Sequence, residues 1–437
     1  MTDMTPLATS QIAPVEMSRA ELLEMDHAHL LHPQHYDADH RDAVIIERGE
    51  GAVLWDVDGR RYLDGLSCLW NVNVGHGRQE LADAASAQMS TLAYNSLYVG
   101  TSNEPAIRLA ARLAALAPGN LNTVFFTTGG AESNETAFKT ARFYWNLRGK
   151  PRKIKIISRH NAYHGVTMGA MAATGLPVFW QHFGPLPPGF LQVEALSADA
   201  LEQCILAEGP ETIAAFIAEP VQGAGGVYPP PDDYFPRVRD ICNRHNVLFI
   251  ADEVITGFGR TGRYWGLNHW GVVPDMLCFA KGVTSGYLPL GGVIFSDTIR
   301  QTLRDAGPDA KWMHAYTYSG HAACCAVGLR NLEIIDQEQL VEKAARGGEL
   351  LMEGLKPLRS RPDVHDIRGL GMMAAVEFQP GSNVVARAQA EARHRGLITR
   401  IRGDIVMLAP PLVTTDRQID EITEILRDAV SSVAPVT

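Results

Sequence analysis

The sequence lacks the features of membrane, secreted and nucleic-acid-binding proteins. None of its apolar runs is long enough to span a bilayer, and residues 1–17 contain no basic segment followed by an apolar one. The 39 lysines and arginines are outnumbered by 49 aspartates and glutamates, which gives a net charge of −10, and no block of basic residues is present. We therefore expect no membrane span, no secretory signal and no nucleic-acid partner.

Cysteine is scarce, and its spacing gives no metal or redox motif. The six cysteines, none of them in a CxxC pattern, are Cys68, Cys204, Cys242, Cys278, Cys324 and Cys325. Most of them lie in apolar surroundings, so the sequence predicts reduced, buried thiols in a cytoplasmic protein.

Histidine is concentrated near the N-terminus, at His27, His29, His32, His35 and His40. The regular spacing of the middle three is compatible with a metal site. A proline directly after His32 breaks any common helix face, however, and no cysteine or convergent carboxylate pattern joins them. The pattern favours a polar N-terminal segment, and we expect no metal ion.

The chain has an ordinary globular composition, with 437 residues of which 46% are hydrophobic. Helix and strand patterns alternate from about residue 80 to 330, which predicts a largely parallel sheet with helices on both faces. Helices are predicted over 18–31, 79–91, 104–116, 131–147 and 236–245, and strands over 123–127, 153–158, 214–218, 248–251, 276–280 and 291–295. An Asp-Gly pair at 58–59 predicts a hairpin of strands 52–55 and 61–64.

The last hundred residues predict a separate α+β block. Its elements are helices over 322–338, 383–395 and 415–431, a strand over 372–378, and a short strand pair over 397–401 and 405–409. We therefore divide the chain into an N-terminal segment (1–75), a large domain (76–330) and a small C-terminal domain (331–437).

Two apolar, strand-like runs each end in a charged residue. Residues 276–280 end directly before Lys281, and residues 248–251 end before Asp252. Pyridoxal phosphate (PLP) chemistry needs such a pair, a lysine that bonds to the aldehyde and a carboxylate that keeps the pyridine nitrogen protonated. Side chains at the carboxyl ends of strands in an open α/β sheet face the ligand crevice. The alternative for either residue alone is a strand-end charge in water.

A run of small residues, Gly129, Gly130 and Ala131, follows one predicted strand and begins a helix. Free backbone N–H groups at such a helix start can bind a phosphate. An ordinary strand–turn–helix junction is the alternative reading. The phosphate-site interpretation is favoured because this run lies upstream of the runs that end in Asp252 and Lys281.

Several other residues could complete a cofactor site. Tyr163 could cover one face of a flat ring and Val254 the other, although Tyr163 could equally be core. Thr317 precedes a helix and could contact a phosphate or only cap that helix. For a substrate carboxylate the candidates are Arg400 and its rival Arg402, since a guanidinium donates two parallel hydrogen bonds. Surface arginines remain the alternative.

Taken in order, these motifs become recognisable. They are Gly-Gly-Ala-Glu (129–132), Tyr-His-Gly (163–165), Glu-Pro-Val-Gln-Gly-Ala-Gly-Gly (219–226), Ala-Asp-Glu-Val-Ile-Thr-Gly-Phe-Gly-Arg-Thr-Gly (251–262), Ala-Lys-Gly (280–282) and Thr-Tyr-Ser-Gly-His (317–321). From about residue 45 onward the chain resembles class III PLP-dependent aminotransferases. The resemblance implies an α/β fold of type I, with a large domain whose mostly parallel sheet is flanked by helices. A smaller α+β domain would come from the N- and C-terminal segments.

The resemblance also implies a role for each matching residue. Lys281 would hold the cofactor and move the substrate proton, and Asp252 would pair with the pyridine nitrogen. Arg400 would bind the keto-acid carboxylate, and Trp70, which could also be core, would wall the substrate pocket beside Tyr163. Further contacts to PLP, or to pyridoxamine phosphate (PMP) in its aminated form, are implied for Gly129, Gly130, Ala131, Tyr163, His164, Glu219, Val254, Tyr316 and Thr317. Thr317 would reach the neighbouring subunit's phosphate in a homodimer or a dimer of dimers.

Within the family, Leu-Trp-Asn-Val-Asn-Val-Gly (69–75) is similar to the branch that transfers amino groups from omega-amino acids or amines to pyruvate. A 2-oxoglutarate-dependent enzyme, and another PLP reaction such as racemisation, aminomutation or decarboxylation, are the alternatives; a binding protein without activity is disfavoured. One departure is the loss of two phosphate-directed hydroxyls, since the family usually has Ser-Gly-Ser or Ser-Gly-Thr at 129–131. We expect weaker PLP retention, with Thr127 or Thr128 as possible substitutes.

Overall fold

The computed structural model describes residues 17–34 and 36–433. The expected absence of a secretory signal rests on residues 1–16, and one member of the histidine group is His35, so both lie outside the described residues. Of the other histidines, His32 is hydrogen-bonded to Asp26 through Nε2 (2.9 Å) and stacks on His40 with 3.9 Å between ring centroids.

Helices occur throughout the part of the chain that the structure describes. In order they are α1 (Arg19–His29), α2 (Asp37–His40), α3 (Ser67–Trp70), α4 (Gln79–Leu92), α5 (Glu104–Leu116), α6 (Gly130–Leu147), α7 (Met168–Ala173), α8 (Ala198–Glu208), α9 (Tyr234–Arg244), α10 (Asp297–Asp305), α11 (Ala322–Gln337), α12 (Leu340–Leu355), α13 (Val385–His394) and α14 (Asp416–Ser432). Their starts follow local chemistry: Ser18 and Glu21 form a capping box at α1, and Asn103 caps α5. No helix in the described residues is long and apolar enough to cross a bilayer.

The strands form three sheets. In order they are β1 (Ile46–Glu50), β2 (Val53–Asp56), β3 (Arg61–Asp64), β4 (Leu121–Thr127), β5 (Lys155–Arg159), β6 (Phe190–Val193), β7 (Ile213–Ala218), β8 (Leu248–Asp252), β9 (Met276–Phe279), β10 (Gly291–Ser296), β11 (Val364–Gly369), β12 (Ala374–Phe378), β13 (Leu397–Ile398), β14 (Arg400–Arg402) and β15 (Ile405–Leu408).

The large sheet has the order β4-β10-β9-β8-β7-β5-β6. Only β10 is antiparallel to its neighbours, so the other six strands share one direction. Every residue of β7, β8, β9 and β10 is buried, as their continuous apolar composition requires once helices cover both faces. The predicted mostly parallel sheet is confirmed, and each predicted strand of this sheet lies within two residues of its observed bounds.

Two smaller four-stranded sheets are built from the ends of the chain. One has the order β1-β2-β3-β13 and joins the N-terminal hairpin to residues 397–398; the other has the order β11-β12-β15-β14. The fold-class prediction of a smaller α+β part built from both ends is therefore confirmed. The proposed boundaries at residues 75 and 330 stay predictions.

One predicted strand is wrong as drawn. Residues 397–401 were expected to form a single strand paired with residues 405–409. Instead β13 pairs in parallel with β3, whereas β14 pairs with β15 in another sheet. The chain changes sheets at Thr399, which hydrophobic alternation alone does not reveal.

The prediction of buried thiols needs a correction at two positions. Cys68 is exposed and Cys204 is half-buried, whereas the remaining four cysteines are buried and all six are free. Cys68 has φ 54° and ψ −78° inside α3, and the following Leu69 is exposed as well, so the apolar residues of this segment do not predict burial.

A buried arginine in the loop after β8 joins segments that border the three sheets. Arg260, which is fully buried, donates hydrogen bonds to Ser67 Oγ (2.8 Å) and Asn73 Oδ1 (2.9 Å) in the N-terminal segment. Its other acceptors are backbone carbonyl oxygens of the C-terminal part, at Met372, Ala409 and Pro410. Burial lowers the pKa of Arg260 to about 9, which remains well above neutral pH. The guanidinium therefore ties both ends of the chain to the loop after β8.

Replacing Arg260 with leucine should destabilise the protein. The carbonyl oxygens of Met372 and Pro410 and the amide oxygen of Asn73 would lose this donor. Each buried acceptor left without one costs about 1–3 kcal/mol, so we expect the free energy of unfolding to fall by about 3 kcal/mol. Urea titration of the holoenzyme measures this. The matched control is Arg263→Leu at an exposed position, which should change stability by no more than about 0.5 kcal/mol. Equal midpoints for both variants would contradict the role assigned to Arg260.

Candidate active site

The common direction of six strands collects the predicted site residues at one edge of the large sheet. Lys281 follows β9, Asp252 ends β8, Glu219 follows β7, and the small-residue run at 129–131 follows β4. A cavity of about 650 Å³ opens at this edge. Its volume lies within the range of about 300–1,000 Å³ typical of small-molecule sites.

Most of the predicted site residues line this cavity. They are Trp70, Gly129, Gly130, Ala131, Tyr163, His164, Glu219, Asp252, Val254, Lys281, Arg400 and Arg402. The exceptions are Tyr316 and Thr317, which the structure does not bring into this chain's cavity: the Tyr316 hydroxyl lies 3.3 Å from Glu132 O, and Thr317 O accepts a hydrogen bond from Tyr94.

Lys281 begins a short 3₁₀ turn directly after β9 and has φ 46°. A positive φ is strained for a lysine, and such strain persists where the surroundings fix the backbone, often at functional sites. Burial lowers the pKa of Lys281, the carboxylates of Asp252 and Glu219 oppose this, and the charge of Arg400 adds to it. A lysine with a lowered pKa is more often an uncharged amine, the form that attacks carbonyls.

Asp252 is held from two sides. Its Oδ2 accepts hydrogen bonds from His164 Nδ1 (2.7 Å) and Asn134 Nδ2 (2.8 Å), and its Oδ1 accepts one from Val254 N (3.1 Å). The Asn134 amide also donates to His164 O (2.8 Å), which links the two partners. These hydrogen bonds fix the orientation of the carboxylate, which is the group that can pair with a protonated ring nitrogen.

Asn134 was not predicted from the sequence. It is buried on α6, one turn after the helix begins at Gly130. An asparagine in the first turns of a helix that begins at a phosphate-type loop could have indicated a site residue. Its amide, once buried, needs hydrogen-bond partners, and here one partner is Asp252. His164 was expected to contact the cofactor, and its imidazole is hydrogen-bonded to Asp252.

The loop before α6 has the form of an anion site. In the described part of the chain, the backbone N–H groups of Gly130 and Ala131 have no hydrogen-bond acceptor. A β-carbon at Gly130 would lie 2.8 Å from Val254 Cγ1, so only glycine fits, whereas the space beside Gly129 is open. Helix N-termini of this kind bind phosphate groups.

The hydroxyls expected to replace the missing serines are engaged elsewhere. Thr127 Oγ1 bonds with Gly129 O and Ser133 Oγ, and Thr128 Oγ1 donates to Glu132 Oε2 (2.9 Å). Neither hydroxyl is therefore free in this arrangement to take the place of the family's serines.

The acid Glu219 lies beside the cofactor-type residues. Its Oε1 accepts a hydrogen bond from Tyr163 N and its Oε2 accepts one from Gly223 N, both at 3.1 Å. Burial raises the pKa of Glu219, His164 and Arg159 oppose the change, and Asp252 adds to it. Glu219 thus fixes the backbone at Tyr163, whose ring lines the cavity and meets Phe179 edge-on.

The two candidate arginines differ in their surroundings. Arg402 donates hydrogen bonds to Gly225 O and to Asn161 Oδ1, so its guanidinium is already engaged. Arg400 lines the cavity half-buried, and among residues 17–34 and 36–433 its guanidinium has no hydrogen bond or ion pair. Arg400 is therefore the available carboxylate-binding group.

The rest of the cavity wall is mainly apolar, and several of its residues were not foreseen from the sequence. They include Gln34, Leu69, Asn71, Val178 and Phe179. They come from segments far apart in the chain, and only the folded structure brings them together.

Taken together, the cavity fits PLP. It has unpaired N–H groups at a helix start for a phosphate, a hydrogen-bonded carboxylate for a ring nitrogen, and a lysine for an aldehyde. Tyr163 and Val254 line the space between them.

Comparison with known proteins agrees with this site. The model of the Aminotransferase class-III family matches residues 35–430. A putrescine–pyruvate aminotransferase of Pseudomonas aeruginosa is 39% identical over 90% of this chain and 92% of its own length. A diaminobutyrate–2-oxoglutarate transaminase of Halomonas elongata is 41% identical over 91% of this chain and 92% of its own length.

The similarity extends to three dimensions. The crystal structure of a thermostable (S)-enantioselective omega-transaminase from Thermomicrobium roseum superposes with a TM-score of 0.92. It is 47% identical, and the match covers 95% of this chain and 99% of that one. The chain therefore belongs to the class III aminotransferases and is a PLP-dependent enzyme of this family.

Proposed function

We propose that the enzyme transfers an amino group from an omega-amino acid or primary amine to pyruvate, which yields alanine and an aldehyde or ketone. The observation that carries this proposal is the unpaired guanidinium of Arg400 in a wall that is otherwise mainly apolar. Such a pocket offers one bidentate partner for a keto-acid carboxylate and apolar contacts for an amine without one. The putrescine–pyruvate relative supports the same pairing of substrates.

Each residue of the site would have a distinct role in this reaction. Bound PLP supplies an electron sink that lets the carbon bearing the amino group lose a proton. We propose that Lys281 Nζ would bind the cofactor, would be displaced by the amine, and would then move that proton from the substrate carbon to a carbon of the cofactor, with the reverse transfer when the keto acid is converted. Burial lowers the pKa of Lys281, which favours the uncharged amine that can accept a proton.

The remaining groups hold the reactants. Asp252, oriented by His164 and Asn134, would bind the protonated ring nitrogen, and the N–H groups of Gly130 and Ala131 would bind the phosphate. Tyr163 and Val254 would face the two sides of the ring. In the second half of the reaction Arg400 would hold the carboxylate of pyruvate so that its carbonyl carbon lies near Lys281.

A 2-oxoglutarate-dependent reaction is the second candidate, and the Halomonas elongata relative favours it. 2-Oxoglutarate has two carboxylates, so its binding requires two cationic side chains. Arg402 is the only other arginine among the residues lining the described cavity, but it is held by Gly225 O and Asn161. The single free guanidinium therefore favours a monocarboxylate.

We also propose that the active unit is a homodimer or a dimer of dimers. An apolar face, defined here by Tyr98, Val99, Ile107 and Met313, surrounds one groove, and its residues are 49%, 87%, 58% and 79% exposed. So large an exposed apolar surface marks an interaction site. Tyr94, which precedes Tyr98 of this face by four residues, donates a hydrogen bond to Thr317 O. Thr317 therefore lies near the proposed interface, as a contact with the partner's phosphate requires.

A cytoplasmic location is the corresponding proposal for the cell. All six cysteines are free thiols, which supports a reducing compartment.

The purified, PLP-loaded protein should form alanine from pyruvate when given β-alanine, 4-aminobutyrate, taurine, putrescine or 1-phenylethylamine in separate reactions. Pyruvate should be consumed one for one with the best amine, which excludes racemisation, aminomutation and decarboxylation. Lys281→Ala should lose both turnover and the absorbance band of lysine-bound cofactor. Turnover with 2-oxoglutarate but not with pyruvate would reject the proposal in favour of the second candidate.

Replacing Arg400 with alanine should raise KM for pyruvate by about 10–100-fold, since a hydrogen bond to a charged group contributes about 1.5–3 kcal/mol. KM for an amine without a carboxylate should change little, because such an amine does not use the guanidinium. Steady-state kinetics in both substrates measures the contrast. Arg402→Ala is the comparison variant, and a selective loss of pyruvate affinity there instead of in Arg400→Ala would reverse the assignment.

Introducing aspartate at Val99 and Met313 together should separate the subunits, because two charges would have to be buried in the proposed interface. Light scattering after size exclusion should give the monomer mass for this variant and at least the dimer mass for the unmodified protein. Leu206→Asp, at an exposed leucine on α8, is the matched control and should leave the mass unchanged. A monomeric unmodified protein would refute the proposed assembly.

A further inference from the structure

Three side chains of different chemistry converge at the end of β3, outside the set of residues assigned to the reaction. His76 Nε2 lies 2.9 Å from Asp64 Oδ2 and 3.8 Å from Cys68 Sγ. One ligand atom from each of the three residues lies within 4.8 Å of both others, and no other such group of three occurs among the described residues. Imidazole nitrogen, thiolate and carboxylate are the ligands that zinc-class ions prefer.

The backbone holds two of these groups in place. Asp64 is fully buried, and its carboxylate accepts hydrogen bonds from the N–H groups of Leu66 (3.1 Å) and Cys68 (2.8 and 2.9 Å). His76 forms a bridge with Gly51, in which each residue donates its N–H to the other's carbonyl oxygen. Carboxylates that bind metals are commonly oriented by such outer hydrogen bonds.

The arrangement is not that of a catalytic triad. In a triad the acid contacts one nitrogen of the imidazole and the nucleophile contacts the other, so that the ring can relay a proton. Here Asp64 and Cys68 both face Nε2 of His76. The three ligand atoms therefore lie together beside one nitrogen of the imidazole, which is the closeness that a shared ion requires.

We propose that Asp64, Cys68 and His76 bind a thiophilic divalent cation of the zinc class, with a fourth position open to solvent beside exposed Cys68. Tetrahedral zinc with usual bond lengths places nitrogen and oxygen ligands about 3.4 Å apart, and nitrogen and sulfur ligands about 3.6 Å apart. The observed 2.9 and 3.8 Å differ from these values by a few tenths of an ångström, which side-chain rotation supplies. A bound ion would displace the thiol proton of Cys68, as thiolate ligation requires, and the nearby Arg260 would offset part of the negative charge of the ligands.

A bound ion at this position would affect the wall of the substrate pocket. Leu69, Trp70 and Asn71 line the cavity, and they lie between Cys68 and His76 in the sequence. This stretch has strained backbone, with φ of 54° at Cys68 and 65° at Trp70. A bound ion would connect the end of β3 to residue 76 and so fix the segment that carries this wall.

Cobalt(II) binding to the chelator-washed holoenzyme tests the proposal, because a cobalt–thiolate bond gives a charge-transfer band that other ligands do not. We expect one equivalent of Co²⁺ to produce this band and Zn²⁺ to displace it. Zn²⁺ should also raise the thermal unfolding midpoint, as any ligand of the native state does. Loss of an outer partner alone weakens metal binding by about 10–100-fold, so Cys68→Ala should weaken it by about 100-fold or more.

Cys204→Ala, at a half-buried thiol on α8, is the matched control and should keep the band. The cofactor absorbance of Cys68→Ala verifies its folding; if that variant did not fold, Cys68→Ser would keep the size of the side chain while removing the thiolate. Protection of one thiol against a thiol-modifying reagent by Zn²⁺ should also disappear with Cys68. Absence of the band, or an equal band in Cys68→Ala or Cys68→Ser, would overturn the proposal, and either result is independent of the transamination assay.

Discussion

The shared direction of six strands in the large sheet is the constraint on which the rest of the structure depends. It brings the residues after β4, β7, β8 and β9 to one edge, although they lie up to 150 positions apart in the chain, roughly the scale of a whole domain. The two ends of the chain then close over this edge, and Arg260 fastens them there through side-chain and backbone acceptors. In the proposed reaction such a site would have rigid strand ends for chemistry and a separate, smaller part for substrate contacts.

The charges of the site are balanced within the cavity. Asp252 and Glu219 are buried carboxylates that raise the pKa of Lys281, while burial and Arg400 lower it. Burial is the largest of these effects, so the pKa of Lys281 is lowered despite the two carboxylates. His164 and Asn134 both bind the same oxygen of Asp252, which leaves the other oxygen with a single backbone donor.

How much could be predicted from the sequence depended on the range of the interaction. Lys281 and Asp252 were found because a strand end is a local pattern, and the edge of the sheet follows from the alternation of helices and strands. Asn134 was missed since its burial depends on packing between α6 and the sheet. Cys68 was predicted to be buried because its segment is largely apolar, whereas the structure has it exposed, on a backbone with positive φ. The division of residues 397–401 between two sheets depends on partners more than 300 residues away for β13, a separation that no periodicity encodes.

The contact between Gly130 and Val254 has a consequence for the evolution of the pocket. A β-carbon at Gly130 would press on Val254 Cγ1, so the loop that would bind the phosphate and the side chain that would face the ring occupy one shared volume. Enlargement at position 130 therefore demands reduction at position 254, whereas reduction at 254 needs no change at 130. Among descendants of this chain, a larger residue at 130 should appear only together with a smaller one at 254.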